Sequence, residues 1–418
     1  MDYIIEGGHK LDGEISVYGA KNCALALLGA TVLTDDEVVL TNCPQIVDVE
    51  NMLQLLKSIG KKVWRVGDVV GVAGALSTTN VTTPVATLIR GSILILGSVL
   101  ARYGNVQLPL PGGCAIGSRP IDIHLDGLRA MGVAVNQGLT DVVCCGVPQS
   151  TTYKLRFASV GATQNLICAS VFSKGKTVLK NCAIEPEIVA LERLLVSMGA
   201  KISGIGCSTV TIEGVQRLHT ATAKVIPDRI VTATYLSAVV CAKGKLVVEN
   251  CNPRHLRSFL QLISSNFPTK IYNHAIAIEV SDRAKSYGFV RTAPYPFFPT
   301  DMQSLLLSMA CFASGSTCIK ENLFENRLSH NVKQLNLMGA KIAHHANTAI
   351  VDGVNGLTGT QVSAMDLRGG AGLVVAGLGA QGTTIVRDVS HIQRGYINLA
   401  ESLASVGANI TILNESAN

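Results

Sequence analysis

Thr177-Val-Leu-Lys-Asn-Cys182, followed by Glu185-Pro-Glu-Ile-Val-Ala-Leu-Glu-Arg-Leu-Leu-Val-Ser-Met-Gly199-Ala-Lys-Ile202, decides how the rest of the chain reads. The first piece is a β-branched strand that ends in a polar break. The second carries Ile188, Leu191, Leu195 and Met198 on one helical face. Gly199 closes that helix, because a helix C-terminus favours a residue that tolerates positive φ. Ala-Lys-Ile then resumes extended structure. The same order returns along the sequence. Val38-Val-Leu-Thr-Asn-Cys43 leads to Ile59-Gly60-Lys61, and Leu246-Val-Val-Glu-Asn-Cys251 leads towards Phe267, where the glycine is missing. Thr317-Cys-Ile-Lys-Glu-Asn322 leads to Met338-Gly339-Ala340, and Thr384-Ile-Val-Arg-Asp388 to Val406-Gly407-Ala408. A disguised copy runs from Val106-Gln-Leu-Pro-Leu-Pro111 to Met131-Gly132. Six copies spaced by about 70 residues make this a repeat protein.

Each copy also holds a segment that is apolar on nearly every side: Ala24–Leu33, Ala86–Ala101, Thr163–Phe172, Val231–Ala242, Met302–Ala313 and Ala371–Ala380. A helix of that kind has to be covered all round. Three per half-chain predict two similar globular domains, with helices packed within and sheets outside. The N-terminal strand Met1–Val17 and the final strand Asn409–Leu413 are expected to pair and close the second half. The hinge then falls near Gly19-Ala20 and Pro227-Asp228. Residues 20–227 form one domain, with the Cys114 loop; residues 1–19 and 228–418 form the other, with Asp301 and Arg394. The expected active site is the interdomain cleft.

With 418 residues, two or three domains are the natural expectation. Hydrophobic residues at 48%, charged residues at 15% and a mean hydropathy of +0.35 exclude a disordered or fibrous chain. The net charge of +6 is spread out, without Lys/Arg blocks, which argues against a nucleic-acid partner and for small anionic ones. Met1–Lys10 carries Asp2 and Glu6 and lacks the apolar run of a signal peptide. Met302–Ile319 and Gly369–Val386 are uncharged and of membrane length. Serines in the first and glycines in the second mark them as buried elements of a soluble protein, so no membrane partner is expected. Twelve cysteines without a C-x-x-C fit a reducing cytosol, most of them as small core hydrophobes. No metal-ligand spacing appears, no cofactor is expected, and the oligomeric state stays open. His344-His345 reads as a solvated turn.

The notable polar residues stand at the starts of the buried helices: Lys21-Asn22, Arg90 (inside its helix), Ser159-Val160-Gly161, Asp228-Arg229, Thr300-Asp301 and Asp366-Leu367-Arg368. Helix N-termini offer free N–H groups and partial positive charge, which suit phosphates and carboxylates. Ser159, Asp228, Thr300 and Asp366 also read as plain N-caps. The second signal is Pro111-Gly-Gly-Cys114-Ala-Ile-Gly-Ser-Arg119-Pro120, a glycine-rich loop that sets a thiol near a cation. Nearby positive charge lowers a thiol from its reference pKa of ~8.5, making Cys114 a candidate acid or nucleophile. Nucleotide-loop motifs fail: Gly175-Lys176-Thr177 is preceded by Ser170 where a Walker A loop needs glycine, and no G-x-G-x-x-G follows a strand.

Taken in order, Gly19-Ala-Lys21-Asn22, the Gly-Gly-Cys114 loop with Arg119-Pro120-Ile121-Asp122, Ser159-Val-Gly-Ala-Thr163, Glu185-Pro-Glu-Ile-Val189, Pro227-Asp-Arg-Ile230, Arg291-Thr-Ala-Pro294, Phe298-Pro-Thr-Asp-Met302, Phe324-Glu-Asn-Arg327, Asp366-Leu-Arg368 and Arg394-Gly-Tyr396 resemble the enolpyruvyl transferases. Within them, the chain looks like the branch that acts on UDP-N-acetylglucosamine at the start of peptidoglycan synthesis. The resemblance runs from end to end. It implies an inside-out α/β barrel of two domains built from six βαβαββ-type repeats. It implies transfer of enolpyruvate from phosphoenolpyruvate to the 3′-hydroxyl of UDP-N-acetylglucosamine, with release of phosphate. By the same resemblance, Cys114, Asp301, Lys21 and Arg394 are catalytic. Lys21, Asn22, Cys114, Arg119, Arg327, Arg368 and Arg394 face phosphoenolpyruvate. Asn22, Arg90, Arg119, Pro120, Ile121, Asp122, Ile123, Ser159, Val160, Gly161, Asp301 and Leu323 face the UDP-sugar. It further implies alkylation of Cys114 by the epoxide fosfomycin. The chain departs from the usual pattern at Tyr295, Gln393, Arg327-Leu-Ser-His330 and Gly369-Gly370-Ala371-Gly372. A UDP-sugar-binding regulator without turnover and a shikimate-pathway transferase remain the alternatives.

Overall fold

The computed structural model describes residues 1–110, 117 and 120–413. Four polar breaks of the repeat are left-handed turns: Asn42, Asn181, Asn250 and Asp388 have φ of 55, 58, 51 and 60°. Asn and Asp are the residues other than glycine that tolerate this region best. The helix-closing glycines behave alike, with φ of 106° at Gly60, 78° at Gly132, 106° at Gly199, 88° at Gly339 and 104° at Gly407.

Among the described residues the strands form five four-stranded sheets and one of three strands. The repeat that contains Thr177 shows the rule. Lys176–Lys180 runs antiparallel to Thr209–Glu213, which pairs with Lys201–Ser203, while Thr152–Lys154 adds a parallel neighbour. The first repeat takes its parallel neighbour from far along the chain: Ala221–Lys224 lies beside Val38–Thr41. The fourth takes it from the N-terminus, where Leu11–Ser16 lies beside Gly244–Glu249. In the last sheet Asp2–Glu6 sits between Thr383–Arg387 and Asn409–Leu413, with Tyr3 opposite Ile412 and Ile5 opposite Ile410. The expected pairing of the two chain ends is therefore present. Met1–Val17, however, is two strands in different sheets, not one. Among the described residues no sheet closes on itself; "barrel" describes helices inside and sheets outside.

Among the described residues, six central helical segments lie beneath the sheets. Five of them are Lys21–Ala30, Val160–Ser170, Arg229–Ala242, Gln303–Cys311 and Leu367–Gly379. Four of these start two to four residues before the apolar runs, because the polar residues ahead of each run are already helical or capping, whereas Gln303–Cys311 starts one residue late because Met302 ends the 3-10 turn Thr300–Met302. The remaining one, expected over Ala86–Ala101, is broken into Val85–Leu88, a 3-10 turn Arg90–Ile95 and Leu96–Tyr103, with Leu88 61% exposed. Gly91 stands at the break, where a Cβ would lie 3.1 Å from Leu25 of the first central helix. Glycine weakens a helix interior and allows this close approach.

The two stretches of membrane length are each helix, turn and strand: Gln303–Cys311 with Ser316–Lys320, and Leu367–Gly379 with Thr383–Arg387. Among the described residues no helix is long and apolar enough to cross a membrane. Their polar residues serve helix packing. Ser304 Oγ donates to the carbonyl of Arg368 and Ser308 Oγ to that of Gly372, both at 2.7 Å. A Cβ on Gly372 would stand 2.9 Å from the Ser304 carbonyl oxygen, so glycine at this departure from the family pattern sets the helix spacing. His344 and His345 end the strand Lys341–His345 opposite Ala349 and Thr348, rather than forming a turn.

The chain divides into two compact units. One comprises Gly19–Gly112 and Pro120–Ile226; the other contains Met1–Tyr18 and Pro227–Asn418.

Candidate functional site

In the unit containing Pro227–Asn418, the starts of three central helices carry the candidate groups. Asp228 Oδ1 accepts from the N–H groups of Ile230 (2.7 Å) and Val231 (3.2 Å), and Asp366 Oδ1 from those of Arg368 and Gly369 (both 3.0 Å). These two are N-caps, and capping places Arg229 and Arg368 in the first helical turn. Thr300 is not a cap. It opens a 3-10 turn, Thr300–Met302, with Asp301 second in it.

Arg327 Nη2 donates to Asp301 Oδ1 at 2.8 Å, and Arg327 Nη1 to Thr300 Oγ1 at 2.7 Å. Arg368 Nε lies 3.9 Å from the same Asp301 oxygen. The two arginine side chains are 5% and 4% exposed, while that of Asp301 is 27% exposed, leaving a face of the carboxylate open. Burial pushes the Asp301 pKa up. The charges of Arg327 and Arg368, the hydrogen bond from Arg327 and the charge of Arg229 more than reverse this and hold it well below the usual carboxylate range. Arg368 also lies over the Tyr396 ring, 5.6 Å from its centroid, and Tyr396 shares a 2.8 Å hydrogen bond with Thr234. The Tyr295 departure gives Arg229 an aromatic face, with 5.8 Å from guanidinium to centroid. Leu323 follows the buried Glu321, whose carboxyl accepts its N–H at 2.8 Å. Arg394 is half-buried after the short helix Ser390–Gln393, and Gln393 Nε2 lies 3.0 Å from Met1 Sδ.

In the other unit, Lys21 begins the first central helix and pairs with Asp48 Oδ2 at 3.0 Å. Both are mostly buried; Asp48, near the start of Val47–Ser58, is a partner that the motifs did not reveal. Asn22 follows Lys21, half-buried. Ser159 Oγ accepts from Ala162 N at 3.4 Å, so Val160 and Gly161 form a capped helix start. Pro120 and Ile121 lead into the helix Asp122–Ala130, which contains Ile123. His124 joins these segments. Its Nδ1 accepts from Asn165 Nδ2 at 2.8 Å, Asn165 Nδ2 also reaches the Ile93 carbonyl at 2.9 Å, and a Cβ on Gly161 would lie 3.0 Å from His124 Cε1. Burial, then the charge of Arg90, push the His124 pKa down to about 4 despite Asp122. Gly161 thus packs against a buried imidazole whose proton affinity responds to the charges of Arg90 and Asp122.

Cys114 and Arg119 lie outside the described residues. Of the other cysteines, eight are buried, Cys145 and Cys207 are exposed, and Cys318 is half-buried. Burial pushes the thiols of Cys43, Cys144 and Cys251 up to about 11 and those of Cys168, Cys182 and Cys311 to about 12. Those thiols stay protonated and inert near neutral pH.

The family model described as EPSP synthase (3-phosphoshikimate 1-carboxyvinyltransferase) matches residues 5–403. A UDP-N-acetylglucosamine 1-carboxyvinyltransferase 2 of Caldanaerobacter subterraneus subsp. tengcongensis is 41% identical over 409 residues, covering 97% of this chain and 98% of the relative. A UDP-N-acetylglucosamine 1-carboxyvinyltransferase of Granulibacter bethesdensis is 42% identical over 417 residues, covering 98% and 99%. Among solved structures, the enolpyruvyl transferase NikO from Streptomyces tendae superimposes with a TM-score of 0.88 at 23% identity, covering 98% of each chain. An EPSP synthase from Acinetobacter baumannii does so with a TM-score of 0.73 at 16% identity, covering 99% of this chain and 100% of that one. At these identities the two structures speak for the fold.

Proposed function

The chain belongs to the EPSP synthase family of enolpyruvyl transferases, and from that premise we propose how its residues carry out the reaction. It transfers the 1-carboxyvinyl group to UDP-N-acetylglucosamine, as its relatives' names state. The donor is phosphoenolpyruvate and the transfer serves peptidoglycan synthesis. In the addition step the sugar 3′-oxygen bonds to C2 of phosphoenolpyruvate while C3 takes a proton. In the elimination step C3 loses a proton and the C2–O bond to phosphate breaks. We assign the hydroxyl proton to Asp301 and the C3 proton to Cys114. Lys21, Arg119 and Arg394 hold the phosphate and carboxylate, completed by Arg327 and Arg368. Arg90, Pro120–Ile123 and Ser159–Gly161 take the UDP moiety, with Asn22 and Leu323 at the sugar.

The observation that carries this assignment is the Asp301–Arg327–Arg368 cluster. Three arginines hold Asp301 ionised but make it a weak base. A phosphate and a carboxylate bound to Arg327 and Arg368 cancel much of their field, so the proton affinity of Asp301 rises when phosphoenolpyruvate is in place. The base is then strengthened by the substrate that it serves. Phosphate release with each substrate alone and with both tests the function. Release only with both is expected; release with shikimate 3-phosphate instead would assign the chain to the sister activity.

A further inference from the structure

We propose that Glu321 is a positioning residue for the transfer: through the Thr300 hydroxyl it sets the guanidinium of Arg327, and thereby the carboxylate of Asp301. This rests on the role given above to Asp301. The repeat itself singles Glu321 out. Its place in the fifth repeat is the one that Asn42, Asn181, Asn250 and Asp388 occupy in others, as exposed or half-buried residues in left-handed turns. Glu321 has no positive φ and is 1% exposed. An acidic side chain so deep in the protein is costly unless its oxygens are well supplied with donors.

It is well supplied. Oε1 accepts from Thr292 Oγ1 (3.0 Å), Leu323 N (2.8 Å) and Phe324 N (3.2 Å); Oε2 accepts from Thr300 Oγ1 (2.8 Å). The Oε1 bonds shape the loop that leads to Arg327. The Oε2 bond does something else: it fixes where the Thr300 hydrogen points. With that hydrogen on Glu321, a lone pair of Thr300 Oγ1 faces Arg327 Nη1 at 2.7 Å. Because a guanidinium is a rigid plane, holding Nη1 aims Nη2 at Asp301 Oδ1, 2.8 Å away. The chain of donors runs Thr300 to Glu321, Arg327 to Thr300 and Arg327 to Asp301.

Glu321→Gln tests the chain selectively. The amide oxygen can keep the three Oε1 bonds, while the amide NH2 meets Thr300 as a second donor, so the Thr300 hydrogen loses its acceptor and no longer fixes the lone pair that faces Arg327. We expect kcat to fall by about 10–100-fold, with KM for UDP-N-acetylglucosamine within about threefold and the unfolding midpoint nearly unchanged. The acid limb of the kcat profile should move to higher pH. Arg327 then pulls less on Asp301, although Arg368 and Arg229 still face it. Thr300→Val should lose as much, and the double variant no more than either single one, because all break one link. Wild-type kcat and pH profile in Glu321→Gln, or losses that multiply in the double variant, would overturn the proposal. Should Glu321→Gln not fold, Thr300→Val decides: unchanged kcat there is equally fatal. Asp301→Asn separates the two levels, since full turnover in it would sink the reading of the site itself, whereas an inactive Asp301→Asn beside a fully active Glu321→Gln sinks only the positioning role.

Discussion

Asp301 stands between burial, which favours its neutral form, and three guanidiniums, which favour its charge. Asp301→Asn removes the proton acceptor but keeps a hydrogen-bonding side chain, so kcat is expected to fall by about 10²–10⁴-fold while the protein stays folded. Steady-state kinetics beside a thermal melt checks this, and turnover within a few-fold of wild type would contradict it. Cys114 is expected to be the thiol that fosfomycin alkylates, faster when UDP-N-acetylglucosamine is present. Its rivals are few: Cys145 and Cys207 are exposed, and six of the buried thiols are pushed to about 11 or 12. Peptide mapping should find one labelled site, lost in Cys114→Ala together with turnover; adducts spread over several cysteines would remove Cys114 from the mechanism. Asp301, Arg327 and Arg368 were legible because their motifs are local. Glu321 was not, since along the chain it is merely an irregular residue at a strand end, and its four donors come from residues up to 29 positions away.

Between elements, the second and third central helical segments are joined through Asn165. Its Oδ1 accepts Gly97 N at 2.8 Å, and this leaves its amide NH2 for Ile93 and for His124. His124 Nδ1 must then be the acceptor, so the neutral ring carries its hydrogen on Nε2. A depressed histidine pKa means that the unfolded chain takes up the proton first. The contribution of His124 to stability is whole above pH ~6.5 and is lost as pH falls towards 4, by at most about 3 kcal/mol. Denaturant melts across that window should show the decline, and a His124→Gln variant should flatten it; identical slopes would place the effect elsewhere. Gly97→Ala would set a Cβ 2.1 Å from the Asn165 carbonyl oxygen. A backbone atom cannot step aside cheaply, so a loss of about 1–3 kcal/mol or more is expected in the same melts. Sequence periodicity located this second helical segment but not its break. An apolar run reads as continuous helix, whereas the chain is extended at Ile89 and passes through a 3-10 turn that brings Gly91 against Leu25.

At the scale of the molecule the two units differ in continuity. The unit of Gly19–Gly112 and Pro120–Ile226 carries its own closing strand, Ala221–Lys224 against Val38–Thr41. The other unit borrows Asp2–Glu6 and Leu11–Ser16 from the N-terminus, and Asp2–Glu6 is an inner strand with partners on both sides. A fragment 19–226 should therefore unfold cooperatively by itself. A fragment 227–418 should not, because a missing inner strand leaves two open edges over an apolar core. Adding a peptide of residues 1–18 should restore part of its near-ultraviolet circular dichroism; a cooperative transition in 227–418 alone would show that the borrowed strands are dispensable.

The repeat, the buried helices, the helix-closing glycines and the motif residues at helix starts follow from the amino-acid sequence by itself. Each depends on spacing within a few turns or a few strand residues, where backbone geometry alone dictates which residues share a face. Tertiary structure alone decided that Thr300 bonds Glu321 and Arg327 instead of capping a helix, that Lys21 pairs with Asp48, and that Glu321 reaches Asp301 through two intermediaries. The same holds for the splitting of Met1–Val17 between two sheets. For the side chains the physical reason is common. A polar side chain is satisfied by whichever donors and acceptors the packing of distant segments brings within about 3 Å, and local sequence carries no record of that distance.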